Sequence, residues 1–385
     1  MSHSPTDFIR IANQTAEHFG FQTVDQVKKQ PECKECTSAM PHTINGTNKK
    51  LDNQSGLLCS GVATYCDLKL HALERPVLLY SVEQTPYTGE PAVVFHIFNV
   101  EKSIAEAILI QVSRALATEL GHVDHTVRIN SLGDRESITR YTRELTNFLK
   151  KRLDTMPPTA RELMKEHAIS ALANLIEQEH ELGFRSPNPL EFLSDPSRKH
   201  FREIIEYLDM SETPYEIDPK MLAHHECYSD AIFSIDFHDE EVPLTISGGR
   251  FDEFTQRNTK VSTPVAGAVV TLKNNKTPSR LPRIKNASPS VYVVHLGFGP
   301  KIRSLLLIDS LRQAGIPVMH NLASDSLSSQ LRDAESQKIR YAVIIGQKEF
   351  VENTVILRDL EARNQEFIPE DILIKRLKRR NPVSA

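Results

Sequence analysis

The stretch "SGGRFDEF", Ser247 to Phe254, decides how this sequence is interpreted. It follows directly on a β-like run, "VPLTI", and places two glycines and an arginine at the end of the expected strand. A glycine pair in a strand indicates that a ligand or another backbone approaches the chain closely. Gly248, Gly249 and Arg250 are therefore candidate ligand-binding residues.

The sequence around this stretch predicts a β-hairpin. Two apolar runs, residues 227–237 and 242–251, are joined by the acidic segment "HDEE", and β-like runs with a short polar connection are typical of hairpins. Residues 153–212 instead show a polar helical pattern interrupted by prolines. We therefore expect an α+β core that contains a small helical insertion.

A change of composition predicts a domain boundary. Residues 276–289 are rich in proline, serine and basic side chains and show no apolar periodicity. After them the pattern alternates between strand and helix, which predicts a compact α/β domain with a largely parallel sheet. The expected organisation is a core at 1–275, with the insertion at about 153–212, then a basic linker at 276–289 and a C-terminal α/β domain at 290–385.

The overall composition narrows the class of protein. The net charge of -4 argues against a uniformly basic nucleic-acid coat. No apolar run reaches the roughly 18 residues that a membrane span requires, and the first residues lack the basic start and apolar block of a signal peptide. Because the five cysteines do not form the pattern of a disulfide framework, we expect a cytoplasmic protein.

Several runs along the chain resemble class II histidyl-tRNA synthetases. The resemblance extends over nearly the whole sequence and is most continuous at residues 311–349, which look like the family's anticodon-binding domain. It implies an antiparallel sheet of six or seven strands flanked by helices, and a homodimer. The family activates histidine with ATP and magnesium and transfers it to tRNA. The matching runs of the core are "HFGFQTV", "SGVATYCDL", "FHIFNVE", "RINSLGDRES", "YEIDPKML", "AIFSID", "SGGRFDEF" and "TPVAGAVVTL".

The residues that carry the family's chemistry are replaced in this chain. Formation of the adenylate needs positive charge at the α-phosphate, because the attacking carboxylate and the transition state are both anionic. The resemblance places Glu83, Ala223 and Asn274 where the family has three arginines. Ser60 stands where a glutamate would hold the substrate's ammonium group, and Ile97 replaces a glutamine. We therefore predict no catalytic residues and no cofactor, and a chain that no longer aminoacylates tRNA.

Part of the amino-acid pocket is retained. The resemblance aligns Glu101 and Tyr228 with the residues that contact the imidazole ring of histidine, beside Gly248, Gly249 and Arg250. A carboxylate and a phenol can both hydrogen-bond an imidazole. Two interpretations remain open: these residues are structural remnants, or they form a pocket that senses histidine without activating it.

An RNA-binding or regulatory role is the leading hypothesis, with tRNA, another RNA or a protein as partner. Basic residues near the C-terminus, including Lys375 and Arg376, are able to contact phosphates, although such residues also favour exposed helix ends. The resemblance adds polar residues expected to face the anticodon. They are Ser326, Gln330, Gln347 and Lys348.

Two alternatives remain. A divergent but active histidine–tRNA ligase would need ATP and magnesium, with Lys273 or Lys276 taking over phosphate binding. A zinc site at the "CKEC" segment, Cys33 and Cys36, is possible by spacing, but a lone CxxC in a polar loop more often consists of unpaired thiols. We therefore predict no metal site.

Overall fold

A computed structural model describes seven parts of the chain, and within these parts it contains two β-sheets. The described residues are 4–28, 53–70, 75–222, 228–239, 241–259, 263–278 and 288–380. The strands are β1 (Val77–Gln84), β2 (Pro91–Phe98), β3 (His125–Gly133), β4 (Tyr215–Ile217), β5 (Ser229–Phe237), β6 (Leu244–Arg250), β7 (Val265–Leu272), β8 (Val291–His295), β9 (Val318–His320), β10 (Tyr341–Ile345), β11 (Thr354–Asp359) and β12 (Asn364–Pro369).

Some of the helices begin at a residue whose side chain caps the first turn. Ser4 accepts a hydrogen bond from the backbone of Asp7 at the start of the first helix, and Asp134 caps the fifth helix through Ser137. The helices are α1 (Pro5–His18), α2 (Val24–Lys28), α3 (Asn53–Asp67), α4 (Ile104–Glu119), α5 (Arg135–Lys150), α6 (Pro158–Glu166), α7 (Ala168–Glu177), α8 (Glu181–Phe184), α9 (Asp195–Met210), α10 (Asp252–Thr259), α11 (Phe298–Gln313), α12 (Leu327–Ser336), α13 (Gln347–Glu352) and α14 (Glu370–Arg380).

The first sheet has seven strands in the order β1-β2-β7-β6-β5-β3-β4. All its pairings are antiparallel except β3 with the short strand β4. The expected hairpin is present as β5 and β6, in which Ser234 pairs with Ser247. The prediction of an α+β fold with an antiparallel sheet of six or seven strands is confirmed.

The second sheet has the order β12-β11-β10-β8-β9. Strand β8 is parallel to both β9 and β10, as the alternation of strand and helix predicts. Strands β11 and β12 extend the sheet as an antiparallel hairpin beside β10. The expectation of a largely parallel sheet is therefore correct only for three of the five strands, because a hairpin needs no crossover helix.

The seven-stranded sheet has two differently covered faces. On the face that we call the α4 face, β6 and β7 contact α4, while α9 contacts β3 and β5. This packing continues through α1 to β9 and α11, so that the cores of the two sheets form one apolar cluster. The C-terminal sheet is thus anchored to the helical layer of the first sheet.

The opposite face, which we call the α3 face, is covered by α3 and α10. Aromatic residues fill it: the rings of Tyr65 and Phe98 stack with centroids 3.9 Å apart, and His96 lies 5.5 Å from Phe98. His96 is fully buried and donates a hydrogen bond to the carbonyl of Leu58. Burial lowers the pKa of His96 to about 4, so its imidazole is neutral in the folded chain at pH 7.

A buried ion pair joins β6 to the helical layer. The guanidinium group of Arg250 donates to both carboxylate oxygens of Glu106 on α4, at 2.8 and 3.1 Å, and both side chains are buried. His200 on α9 bonds to the same carboxylate at 2.9 Å. Burial alone opposes ionisation, but Arg250 and His200 lower the pKa of Glu106 to about 2. The three groups therefore tie one strand and two helices together.

None of the described helices is long and apolar enough to cross a lipid bilayer.

The first prediction concerns the buried ion pair. Arg250→Leu leaves the Glu106 carboxylate buried without its main partner, which typically costs about 3–5 kcal/mol of unfolding free energy. Replacing both residues in Arg250→Leu/Glu106→Leu removes the uncompensated charge and recovers part of that loss. Urea denaturation measures both values. The control Arg376→Ala breaks an exposed ion pair with Glu366 and should lower the unfolding free energy by at most about 1 kcal/mol. If Arg250→Leu lowers it by no more than this, Arg250 and Glu106 do not form a stabilising buried pair.

The second prediction concerns pH. Because the folded-state pKa of His96 is about 4 and its ordinary value is near 6.5, His96 contributes stability above pH 6.5 that is lost as the pH falls towards 4. His96→Gln keeps an N–H donor for Leu58 and removes the titration. Lowering the pH from 7 to 5 reduces the unfolding free energy of the unmodified chain. We expect the same change of pH to cost His96→Gln about 2 kcal/mol less.

The matched control for His96→Gln is His238→Gln, which removes an exposed imidazole beside Asp124. Urea denaturation at pH 7 and at pH 5 should give this variant the same loss of stability as the unmodified chain. Equal pH dependence of His96→Gln and His238→Gln would show that His96 titrates normally in the folded state.

Candidate functional site

The two glycines of "SGGRFDEF" are required by packing within the chain. A Cβ atom at Gly248 would lie 2.6 Å from the ring of Phe233 and 2.6 Å from the carbonyl oxygen of Gly267. At Gly249 it would lie 2.9 Å from the ring of Tyr228. Because successive strand residues point to opposite faces, each glycine makes room for an aromatic ring on a different face. The close approach that the sequence indicates is made by the protein's own side chains.

Arg250 lies on the α4 face, where it contacts the loop that follows β2. Besides Glu106, its guanidinium group donates to the carbonyl oxygens of Val100 at 2.9 Å and Lys102 at 3.3 Å. These two residues flank Glu101. Arg250 therefore fixes the backbone that carries Glu101, while its own charge is directed away from the α3 face.

The two expected imidazole-contacting residues have different surroundings. Tyr228 is buried among the apolar residues of the α3 face, and its ring lies 6.3 Å from that of Phe251. Glu101 is exposed, in the loop between β2 and α4. Of the five predicted ligand-binding residues, Tyr228 and Gly249 belong to the α3 face and Gly248 and Arg250 to the α4 face.

Two of the three replaced arginine positions are described. Glu83 lies near the end of β1, opposite Ala92, and points to the α3 face. Asn274 is exposed in a left-handed turn after β7, with φ of 58°, and its backbone amide donates to Glu90. Ala223 lies outside the described residues. Glu83 therefore directs its carboxylate to the α3 face.

Sequence reasoning missed an arginine on the α3 face. Arg128 on β3 pairs with Ser234 on β5 and therefore shares the face of Ile232 and Gly249. Its guanidinium group bonds to Asp218, and to Asp236 at 3.0 Å. A basic residue inside the apolar run "TVRIN" could have indicated Arg128. Its acidic partners could not be found in this way, because they come from distant segments of the chain.

The α3 face therefore does not fit ATP and magnesium as the resemblance implies them. Among the described strands of the seven-stranded sheet, Arg128 is the only arginine or lysine that points to this face, and two carboxylates neutralise it. Glu83 adds a further acidic group to the same face. Among the described strand residues, acidic groups therefore outnumber basic ones on this face, an arrangement that disfavours a triphosphate.

The structure separates the four polar residues predicted to face RNA in the C-terminal domain. Ser326 is exposed and caps α12, and Gln347 and Lys348 are exposed at the start of α13. Gln330 is buried, and its side-chain amide bonds to both the backbone N–H and the carbonyl of His295 on β8. Gln330 therefore links α12 to β8. The prediction that it contacts RNA is corrected, because its polar atoms already bond to the backbone.

The C-terminal helix α14 presents a basic surface. Lys375, Lys378 and Arg379 are exposed along it. Arg376 is exposed too, but its guanidinium group forms a two-point contact with Glu366 on β12, at 3.1 and 2.8 Å. Lys378 and Arg379, which were not singled out from the sequence, are therefore better placed than Arg376 for a phosphate.

Within the described ranges, no group of three or more histidine, cysteine or acidic residues is arranged to hold a metal ion. Cys33 and Cys36 lie outside the described residues, so the zinc alternative at "CKEC" stays untested.

The C-terminal part of the chain matches a known family, and most of the chain has sequence relatives. Residues 292–380 match the family HGTP_anticodon, the anticodon binding domain. The histidine–tRNA ligase of Thermosipho melanesiensis is 28% identical over 293 residues, which cover 73% of this chain and 68% of that protein. The ligase of Bacillus licheniformis is 24% identical over 336 residues, covering 83% and 79%. For the ligase of Fervidobacterium nodosum, 26% identical, the match spans 65% of that protein's length.

Among solved structures, apo histidyl-tRNA synthetase of S. aureus aligns over 83% of this chain and 81% of that chain, with 16% identity and a TM-score of 0.46. An ATP phosphoribosyltransferase regulatory subunit/histidyl-tRNA synthetase from Bacillus halodurans C aligns over 87% and 93%, with 14% identity and a TM-score of 0.40. The assignment depends on the sequence matches and the observed topology. Residues 292–380 thus match an anticodon-binding domain, and the chain as a whole is similar in sequence to histidine–tRNA ligases.

Proposed function

We propose that this chain binds tRNA or a related RNA through its C-terminal domain and does not aminoacylate it. The observation that carries the proposal is the charge distribution of the seven-stranded sheet. The charge of Arg250 is neutralised on the α4 face. The α3 face carries Glu83 and Arg128, and Arg128 forms ion pairs with two aspartates. The role that remains is binding or regulation.

The chemical argument rests on the adenylate-forming step. Attack of a carboxylate on an α-phosphate brings two anions together, so the barrier depends on preorganised cations. Removing one such donor typically costs about 10²–10³-fold in rate. Glu83 replaces a cation by an anion, and Asn274 supplies no charge and is fixed in a turn by Glu90.

RNA binding is supported by the family match and by α14. An exposed series of cations on one helix attracts the phosphate backbone independently of sequence. Lys375, Lys378 and Arg379 supply such a series at the end of the matched domain. We further propose that the chain forms a homodimer and is cytoplasmic. Histidine would act as an effector, bound near Tyr228 and Glu101.

The second candidate is a divergent, active histidine–tRNA ligase, which the names of the sequence relatives favour. It requires a cation other than the three replaced arginines. Lys273 and Lys276 are exposed next to Asn274 and would have to supply it. A lysine lacks the two-point geometry with which arginine holds a phosphate, so this candidate predicts a weak enzyme.

The third prediction separates the two candidates. Purified chain incubated with histidine, ATP, magnesium and radiolabelled pyrophosphate should show histidine-dependent exchange at least about a thousandfold below that of an active histidine–tRNA ligase assayed in parallel, because more than one cationic donor is missing. Lys273→Ala/Lys276→Ala should leave the residual signal unchanged. Robust exchange that this double variant abolishes would establish the ligase candidate instead.

The fourth prediction tests RNA binding. Lys375→Ala/Lys378→Ala should weaken binding of unfractionated tRNA, and it should reduce the slope of log K against log salt by about 1 for each of the two lysines that touches a phosphate. Filter binding or fluorescence anisotropy over a salt series measures both quantities.

The matched control is Lys150→Ala/Lys151→Ala, which removes the same charge from the exposed end of α5. It should leave the salt slope unchanged, because it lies outside the anticodon-binding domain. If both double variants weaken tRNA binding equally, the contribution of α14 is only its net charge and the proposed interface is wrong.

A further inference from the structure

A cavity lies on the opposite side of the core from the α3 face. It has a volume of about 480 Å³ and opens between α9, the loop before α4, and the loop that joins β8 to α11. Both the synthetase-like core and the C-terminal domain contribute to it. Its main lining residues are Lys102, Lys199, Glu203, Tyr207, Phe298 and Lys301.

One wall of the cavity is aromatic. The ring of Phe298 is 41% exposed, and it lies 5.3 Å from the ring of Tyr207. The loop that presents Phe298 ends at Gly297, whose φ of 103° favours glycine. An exposed, supported ring of this kind is a surface on which a planar heterocycle stacks.

The rim of the cavity carries an excess of positive charge. Lys102 and Lys301 share one carboxylate, Asp325, with Lys301 at 2.9 Å. Partial burial opposes ionisation, yet the two lysines lower the pKa of Asp325 to about 2, so it stays charged. Lys199 is exposed and makes no ion pair within the described part of the chain. The lining therefore carries three lysines and two carboxylates, Asp325 and Glu203, so positive charge is in excess by one.

Two further groups lie at the floor. His200 bonds to Glu106 on its inner side, and although burial opposes protonation, the Glu106 carboxylate raises the pKa of His200 above its ordinary value. Glu203 accepts a hydrogen bond from the hydroxyl of Ser103 at 2.6 Å. A carboxylate beside cations and an aromatic ring suits a ligand that carries hydroxyl groups as well as an anion.

We propose that this cavity binds a nucleoside 5′-phosphate, with the base stacked on Phe298 and the phosphate between Lys102 and Lys199. Glu203 is positioned to accept hydrogen bonds from the ribose hydroxyls. The volume lies within the range of about 300–1,000 Å³ typical of small-molecule sites, which exceeds what a bare phosphate ion needs. The same chemistry is offered by a free nucleotide and by one unit of an RNA strand. The site is independent of α14 and of the α3 face.

Calorimetry on the full chain with guanosine 5′-monophosphate (GMP), guanosine and ribose 5-phosphate tests this assignment. We expect GMP to bind. Guanosine should bind more weakly because it lacks the phosphate, and ribose 5-phosphate because it lacks the base. Phe298→Leu keeps an apolar side chain but removes the ring, and should weaken GMP binding by about fivefold to a hundredfold, the range for removal of base stacking. Lys199→Ala should weaken GMP binding while leaving guanosine unaffected.

Matched controls lie in the same chain. Phe367→Leu removes an aromatic ring that is exposed on β12, and Lys338→Ala removes an exposed lysine after α12; neither lines the cavity, so both should bind GMP as the unmodified chain does. Absence of GMP binding, or GMP binding that neither Phe298→Leu nor Lys199→Ala weakens, would overturn the proposal.

A 12-nucleotide single-stranded RNA distinguishes the two sources of the ligand. If the cavity holds a unit of RNA, GMP displaces this RNA and Phe298→Leu weakens its binding. If the cavity holds a free nucleotide, GMP binds without displacing the RNA. Both outcomes support the site. Loss of tRNA binding in the α14 variant with unchanged GMP binding shows that the two sites are separate.

Discussion

The contact of Arg250 with Glu106 is the interaction on which the arrangement of the core depends. It joins β6, in the middle of the seven-stranded sheet, to α4, and through His200 it includes α9. The same guanidinium group holds the carbonyls of Val100 and Lys102. One buried cation thus positions a strand, two helices and a loop, and its full set of hydrogen bonds offsets the desolvation that a buried charge requires.

This contact also determines what each face of the sheet can do. The buried cation of β6 is committed to the α4 face, while the α3 face is filled by aromatic rings and carries Glu83 with the neutralised Arg128. This distribution of charge supports the proposal that the chain does not carry out phosphate chemistry on the α3 face. Positive charge instead collects at α14 and at the cavity beside Phe298, both of which involve the C-terminal domain.

Much of the fold could be predicted from local patterns. Alternating runs indicated the β5–β6 hairpin, and Asp134 indicated the start of α5. The β11–β12 hairpin was missed because the alternation of strand and helix before it indicated only parallel pairing. The functions of Gln330 and Arg128 were beyond such patterns, since Gln330 binds the backbone of β8 and Arg128 binds aspartates about 90 or more residues away.

The sequence alone determined the class of fold and the resemblance to the synthetases, because these depend on residue type and order along the chain. The expectation that Glu83 and Asn274 stand where the synthetases have arginines follows from that resemblance. Only the tertiary structure decided what "SGGRFDEF" does. Its glycines make room for Phe233 and Tyr228, and its arginine serves the α4 face. A strand residue's direction is set by pairing register and by partners distant in sequence, so no local pattern could assign these contacts.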